Sequence, residues 1–185
     1  MHTHNIPIYV MPKMKQFLQK NAPFTQLIDM HNIELHEMVA NTAVSLNRTI
    51  SVTPFLVPHR NEFSETVGYQ VRSKNTSLIY ISDIDSWDEW DVDINYIIKS
   101  NNIVLLDGTF FNSDELSSRN INDVPHPFIK DSLKRFSLLD RVDREKVYFT
   151  HFNHTNPLIR ESRDELRQLE KHGCRLAKDG MKFTL

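Results

Sequence analysis

Four strand-like runs of this chain each end in a histidine or an aspartate, and this pattern constrains the fold and the function most. The runs are PFLVPH, LIYISD, IVLLD and VYFTH, and their last residues are His59, Asp83, Asp107 and His151. In layered α/β domains, ligands bind at the carboxyl ends of strands, where loops meet on a rigid sheet. Imidazole and carboxylate groups are ligands that Zn²⁺, Mn²⁺ and Fe²⁺ accept. The pattern therefore indicates a divalent-metal site at one edge of a sheet.

Each of these residues also has a purely structural interpretation. A single histidine after a strand is most often a loop or capping residue, and Asp107 before Gly108 is typical of a turn or a helix cap. Polar residues are common at strand ends in any case. From the spacing alone, both the metal site and the structural interpretation stay open.

The composition restricts the class of protein. The chain has 185 residues, 39% hydrophobic residues and a net charge of -2, as expected of one globular domain. It has no block of Lys and Arg, which predicts a small-molecule substrate rather than an extended nucleic acid. No apolar run approaches the ~20 residues of a membrane span, and the N-terminus does not resemble a signal peptide. With the single Cys174, this favours a cytoplasmic protein without a membrane partner.

Hydrophobic periodicity predicts β-rich hairpins first and then alternating strands and helices. Strands are predicted at 6–11, 32–39, 48–59, 66–73, 78–83, 103–106, 146–151, 174–177 and 181–185. Helices are predicted at 12–21, 91–100, 125–139 and 160–173. The turn KNTS joins two of the strands as a hairpin. This order predicts a mixed α/β layered domain.

Several longer segments are distinctive. They are IPIYVMPKMKQFLQKNAPFTQL, VPHRNEFSETVGYQV, LIYISDIDSW, LLDGTFF, VYFTHFNHTNPL and DGMKFTL. Together they resemble the metallo-β-lactamase superfamily, and within it the coenzyme PQQ synthesis protein B family. The resemblance implies an αββα sandwich of mixed β-sheet layers with flanking helices. It also implies a metal-dependent hydrolase-like protein, with zinc as the expected metal and manganese or iron as alternatives.

The resemblance also implies a role for each strand-end residue. His59 and His151 look like histidine ligands of the metal, and Asp83 looks like a carboxylate that ligates one metal or bridges two. Asp107 is expected to hydrogen-bond a ligating imidazole and fix its tautomer. His154 and Asp85 are expected to contact the substrate or to support a ligand.

His126 stands between two prolines at the start of a predicted helix. Related phosphodiesterases use a histidine near this point on their substrate, which implies that His126 orients or protonates a leaving group. The alternative is a histidine that two prolines hold near a helix cap. Together with Asp107, His126 completes the predicted catalytic pair.

The HxHxDH motif of the superfamily is absent from the sequence. The opening MHTH has the HxH spacing, but Asn5, Ile6 and Pro7 follow it, so His2 and His4 are expected to be fortuitous. Residues 1–185 are therefore predicted to be a single domain that forms the C-terminal portion of a metallo-β-lactamase-like domain. Such a portion is expected to bind one metal weakly. It is also expected to expose a sheet face to a second copy or to a missing N-terminal half.

Three functions remain open on this basis. The first is a hydrolase, or an oxidase-like enzyme of cofactor biosynthesis, that is impaired without the rest of the fold. The second is a truncated or degenerate domain that binds a ligand or a partner without catalysis. The third is a phosphodiesterase of the same superfamily, which His126 favours and the lack of a basic surface opposes.

Overall fold

Two β-sheets and their flanking helices form the part of the chain that the computed structural model describes, residues 4–116, 124–160 and 162–185. The smaller sheet pairs β1 (Ile6–Val10) in parallel with β2 (Ile33–Glu37). The connection between them contains α1 (Pro12–Lys20) and α2 (Phe24–Asp29). The predicted strands and the first helix are confirmed here. His2, which we expected to be fortuitous, lies outside the described residues.

The larger sheet has seven strands in sequential order. They are β3 (Val44–Ser45), β4 (Ser51–Leu56), β5 (Val67–Arg72), β6 (Ser77–Tyr80), β7 (Ile103–Asp107), β8 (Val147–Thr150) and β9 (Arg175–Leu176). Strands β3 to β6 are antiparallel neighbours, and β6 to β9 are parallel neighbours. The predicted hairpin is the β5–β6 pair. The predicted class, a mixed α/β fold with flanking helices, is confirmed.

Helices connect the parallel strands and cover one face of the larger sheet. They are α3 (Ile94–Ser100), α4 (Ile129–Phe136), α5 (Arg141–Arg144) and α6 (Arg163–Lys171). Alternate residues of the strands, such as Val104, Leu106 and Phe149, join the buried core with Leu133 and Phe136 of α4. Because strand side chains alternate between faces, this burial fixes which face of each strand meets the helices.

The opposite face of the larger sheet is also apolar. It carries Tyr69, Tyr80, Leu105 and Tyr148, which are aligned across β5 to β8. Tyr80 is 38% exposed, and the other three side chains are partly buried. This face is therefore apolar and partly exposed, as the sequence predicts for a sheet face that packs against another layer.

Two expectations about the elements need correction. The segment 181–185 is not a strand, and Phe183 instead packs edge-on against Tyr148 with ring centroids 5.1 Å apart. Helix α4 begins at Ile129 because two prolines precede it, so the predicted start at 125 is too early. Phe128 is consequently the N-cap residue and is only partly buried. No helix among the described residues is long and apolar enough to cross a membrane.

Candidate metal centre

Three side chains converge in the loops at one end of the larger sheet. His59, Asp83 and His126 each offer a ligand atom, and the three atoms lie within 4.8 Å of one another. His151 adjoins this group, since its Nε2 lies 3.5 Å from Asp83 Oδ1. The Nε2 atom of His59 is 4.0 Å from the same carboxylate oxygen. Asp83 is thus the common neighbour of two imidazoles that sequence patterns place on different strands.

The sheet topology explains why these residues meet. Strands β6, β7 and β8 are parallel neighbours, so the segments that follow them leave the sheet at the same end. Asp107 is the last residue of β7, and Asp83 and His151 lie in the segments that follow β6 and β8. His59 follows the antiparallel strand β4, and a hydrogen bond of 2.8 Å from Asp85 N to Pro58 O joins its loop to the loop after β6.

His126 reaches the centre from the segment before α4. The first turn of that helix is attached to the loop after β7, because Ile129 N donates to Phe110 O at 2.9 Å and Lys130 N donates to Phe111 O at 3.1 Å. The rings of His126 and His59 have centroids 5.4 Å apart. His126 therefore faces the predicted ligands, although it lies far from them in sequence.

The tautomer of His59 follows from its partner. Its Nδ1 lies 2.7 Å from Asp85 Oδ1. An ionised carboxylate only accepts hydrogen bonds, so the proton is on Nδ1 and the lone pair is on Nε2. Asp85 thus supports the ring of His59, one of the two roles expected for it, and Nε2 is available to a metal ion.

The carboxylate of Asp107 is fully buried and accepts four hydrogen bonds. Two come from the backbone N–H groups of Ile84 and Thr109, at 3.1 and 2.9 Å. The others come from Thr109 Oγ1 and His126 Nδ1, both at 2.7 Å. As with His59, the carboxylate holds the proton of His126 on Nδ1 and leaves the lone pair of Nε2 free.

Two opposing effects act on the pKa of His126. Burial of the ring lowers the pKa, because burial disfavours the charged imidazolium. The hydrogen bond to Asp107 and the negative charges of Asp107, Asp83 and Asp85 raise it, and their sum exceeds the effect of burial. The pKa of His126 is therefore higher than that of a free histidine.

His151 has an unusual backbone and an exposed ring. Its φ angle is +57°, which is uncommon for a residue other than glycine. Its side chain is 44% exposed. Its Nδ1 lies 3.1 Å from Thr109 Oγ1. The left-handed backbone conformation of His151 turns the chain sharply directly after β8, and the His151 ring lies beside Asp83.

The family of this chain can be assigned once this geometry is considered. The family model described as "Beta-lactamase superfamily domain" matches residues 1–152. The chain belongs to this family. The match agrees with the resemblance that the segments VPHRNEFSETVGYQV, LIYISDIDSW, LLDGTFF and VYFTHFNHTNPL carry. The mixed sheets and flanking helices are what that resemblance implied.

Individual members of the superfamily support the assignment. The chain is 23% identical over its whole length to a coenzyme PQQ synthesis protein B of Cupriavidus necator, of which it covers 66%. It is 33% identical over 93 residues, 48% of the chain, to the protein of that name from Cupriavidus taiwanensis, of which the match covers 30%. The zinc-bound PqqB structure of Methylobacterium extorquens is similar over 98% of this chain and 63% of that one, with 21% identity and a TM-score of 0.78. The chain thus spans less than two thirds of the length of these relatives.

The donor set in this superfamily chain fits a divalent metal ion. It combines one carboxylate with imidazoles, and the carboxylate partners of His59 and His126 leave the Nε2 atoms of these two rings unprotonated. Zinc, manganese and iron accept such a set. Ser82 Oγ donates to Asp83 Oδ2 at 2.7 Å, which leaves Oδ1 toward the imidazoles. A His and Asp group that could hold a divalent metal is therefore present.

Two other histidine predictions have different outcomes. The side chain of His154 is exposed, and its Nδ1 lies 3.1 Å from Asn153 Oδ1. No described contact joins it to Asp83, and its expected role toward the substrate stays a prediction. His4 is also exposed and joins none of the metal-ligand clusters found among the described residues.

The sequence pattern missed two residues that shape the centre. Thr109 contacts both Asp107 and His151. Asn156 is fully buried, and its Nδ2 donates to Gly108 O at 2.8 Å and to Thr109 O at 3.2 Å. The only signal for them was their presence in the family segments LLDGTFF and VYFTHFNHTNPL. Asn156 ties the loop after β8 to the loop after β7 and so fixes the distance between their functional residues.

Proposed function

We propose that this chain carries the metal centre of a metal-dependent hydrolase that resembles the coenzyme PQQ synthesis protein B. The observation that carries the proposal is the surroundings of Asp83. Two imidazole Nε2 atoms, those of His59 and His151, lie within 4.0 Å of its Oδ1. His126 offers a ligand atom within 4.8 Å of those of His59 and Asp83. We expect zinc as the metal, with manganese or iron as alternatives, because a zinc-bound PqqB has the same fold.

His59, Asp83 and His151 are the proposed ligands. When bound, the metal ion lowers the pKa of a coordinated water toward ~7 and stabilises the negative charge of the transition state. Asp85 holds His59 in the tautomer that a ligand needs, at a distance of 2.7 Å. Three ligands leave positions for water and substrate.

His126 is the proposed general acid. Its Nδ1 is held by the buried carboxylate of Asp107, so its Nε2 faces the group of ligands. In the imidazolium form Nε2 also carries a proton, which it can deliver to a leaving group, and the ring is then left neutral with its proton on Nδ1. The same geometry would suit a further metal ligand, since its donor atom lies within 4.8 Å of those of His59 and Asp83. Spectroscopic counting of imidazole ligands distinguishes the two roles.

Metal analysis of the purified 185-residue chain tests the proposal. We expect close to one equivalent of zinc per chain after mild dialysis, and a loss of most of it in His59→Ala. His36→Ala is the matched control, because His36 stacks on Tyr9 in the smaller sheet and has no part in the centre. Metal content at background in the unchanged chain would contradict the proposal and favour a domain without a metal.

The substrate and the cellular role rest on the relatives. We propose a small-molecule substrate in the synthesis of coenzyme PQQ, from the name of the related proteins. Hydrolysis and metal-dependent oxidation both remain compatible with the ligand set. A cytoplasmic location, the absence of a nucleic-acid partner, and pairing with a second copy or an N-terminal half stay predictions. So does the assignment of residues 1–185 to one C-terminal portion of the domain.

One observation favours a second candidate, a phosphodiesterase. The hydrogen bond between His126 and Asp107 orients the ring, and the imidazolium form of this ring could protonate an alkoxide leaving group from Nε2. Assays on the longest available form of the protein with a phosphodiester whose leaving group is an aliphatic alcohol test this candidate. Activity that His126→Ala lowers by more than about a hundredfold would support it, since general acid catalysis contributes on the order of 10²–10⁴.

A further inference from the structure

We propose that Thr109 is a positioning residue that links His151 to the buried carboxylate of Asp107. The proposal rests on the metal centre proposed above. Thr109 is buried. Its Oγ1 lies 2.7 Å from Asp107 Oδ1 and 3.1 Å from His151 Nδ1. The hydroxyl is thus placed between a carboxylate and an imidazole that do not touch directly.

The positions of the protons follow from the partners. Thr109 has one hydroxyl proton, and the carboxylate of Asp107 at 2.7 Å is its nearest and only charged acceptor. The carbonyl oxygen of His151 is a weaker competitor at 3.3 Å. With its proton engaged, Thr109 Oγ1 accepts the Nδ1–H of His151. The lone pair of His151 is then on Nε2, the atom that faces Asp83.

His151 needs this link more than the other two imidazoles of the centre do. His59 and His126 each contact a carboxylate directly at 2.7 Å. The ring of His151 is 44% exposed, so packing alone does not fix it. Among the described hydrogen bonds, the partner of its Nδ1 is Thr109. The hydroxyl therefore conveys to His151 the orienting effect that carboxylates give to the others.

A consequence is that one buried carboxylate orients two imidazoles. Asp107 Oδ2 accepts from His126, and Oδ1 accepts from the hydroxyl that supports His151. Removal of the hydroxyl separates these effects, because it leaves the contact with His126 intact. We expect Thr109→Val, which keeps the shape of the side chain, to lower zinc affinity about 10- to 100-fold, the usual effect of losing an orienting partner.

Two variants and two measurements test the proposal. Thr109→Val removes the hydroxyl, and Thr109→Ser retains it. Nitrogen-15 NMR of the imidazoles at pH 8, on the metal-free chain, reports the tautomer of His151, and the spectrum of His151→Ala assigns its signals. Zinc affinity is measured by competition with a chelator. We expect the Nδ1–H tautomer in the unchanged chain and in Thr109→Ser, and a mixture of tautomers in Thr109→Val.

The tautomer measurement is independent of metal binding. A predominant Nε2–H tautomer of His151 in the unchanged chain would overturn the proposal, and this result needs no variant to fold. An unchanged tautomer in a folded Thr109→Val would overturn it as well. If the unchanged chain binds no zinc, the proposed function fails, while the expected tautomers would still support the role of Thr109.

Discussion

Asp107 is a buried acidic residue beside the proposed metal ligands. Its carboxylate is fully buried and accepts four hydrogen bonds, two of them from backbone N–H groups. In Asp107→Asn the Oδ2 acceptor becomes an NH₂ group, so the N–H of Ile84 loses its partner. We expect a loss of about 1–3 kcal/mol in the free energy of unfolding, the cost of one buried unsatisfied group. Urea denaturation measures this loss.

Asp85→Asn is the matched control for that variant. Asp85 also contacts an imidazole at 2.7 Å, but its side chain is 22% exposed and water can replace the lost bond. We expect a loss smaller than about 1 kcal/mol. Equal losses for the two variants would show that burial of the Asp107 carboxylate does not increase the cost of losing its hydrogen bond.

Cys174 is predicted to be unreactive in the folded chain. Burial raises the pKa of its thiol to about 12, although the charge of Arg144 lowers it in part. Because the thiolate is the reactive form, the reactive fraction at pH 8 is on the order of 10⁻⁴. We expect no reaction with Ellman's reagent at pH 8 in the native state and one thiol per chain in concentrated urea. Rapid stoichiometric labelling of the native chain would contradict this prediction.

The sequence predicted which strand-end residues could lie together, and their role as metal ligands stays a prediction. His59, Asp83 and His151 were expected to meet because each follows an apolar strand-like run, and the structure places the two histidines beside Asp83. Thr109 could not be predicted in the same way. A threonine after Asp-Gly is common in turns, and its role depends on a contact with a residue 42 positions away.

At the scale of elements, the junction of β7 and β8 holds the loops of the centre together. A Cβ atom on Gly108 would lie 2.8 Å from Thr150 O and 2.8 Å from Phe152 Cε1. The carbonyl belongs to the backbone and cannot move without shifting β8. We expect Gly108→Ala to cost about 1–3 kcal/mol in the free energy of unfolding, which is typical of overpacking.

Gly68→Ala is a useful comparison for Gly108→Ala. Its added Cβ would meet the end of the Phe55 ring at 2.4 Å, and a side chain can rotate where a backbone carbonyl cannot. We expect Gly68→Ala to leave zinc affinity unchanged, while Gly108→Ala lowers it by displacing Asp107 and Thr109. An unchanged affinity in Gly108→Ala would show that the junction tolerates the shift.

Long elements with strong periodicity were predicted well, whereas several short elements were missed. The strands of the parallel part of the larger sheet follow their apolar runs closely. Helix α5 has four residues and β3 has two, which is too short for any period to show. The segment 181–185 has the alternation of a strand, but no neighbouring strand pairs with it among the described residues. Its Phe183 contributes by packing against Tyr148 instead.

At the scale of the whole molecule, metal binding and stability are linked. A ligand that binds only the folded state adds about 2.7 kcal/mol of stability at a free concentration of 100 times its Kd. For a chain of 185 residues, this corresponds to a rise in Tm of roughly 5–10 °C. We expect this rise with zinc, measured by differential scanning calorimetry. Asp83→Asn is expected to show little of it, and an equal rise in that variant would mean that zinc binds elsewhere.

The class of fold could be predicted from the sequence. The order of strands and helices gave the mixed sheets, and the family match confirms the superfamily. The chain covers 66% of one curated relative and 63% of the related PqqB structure. Metal binding by the described residues can be tested on this chain alone.

X-ray absorption spectroscopy of the zinc-loaded chain tests the proposed centre most directly. We predict a shell of nitrogen and oxygen ligands at about 2.0–2.2 Å, with the scattering pattern of at least two imidazoles that decreases in His59→Ala and in His151→Ala. A third imidazole would place His126 among the ligands. A shell of water oxygens alone, or a spectrum that neither variant changes, would contradict the proposal that these residues form a metal centre.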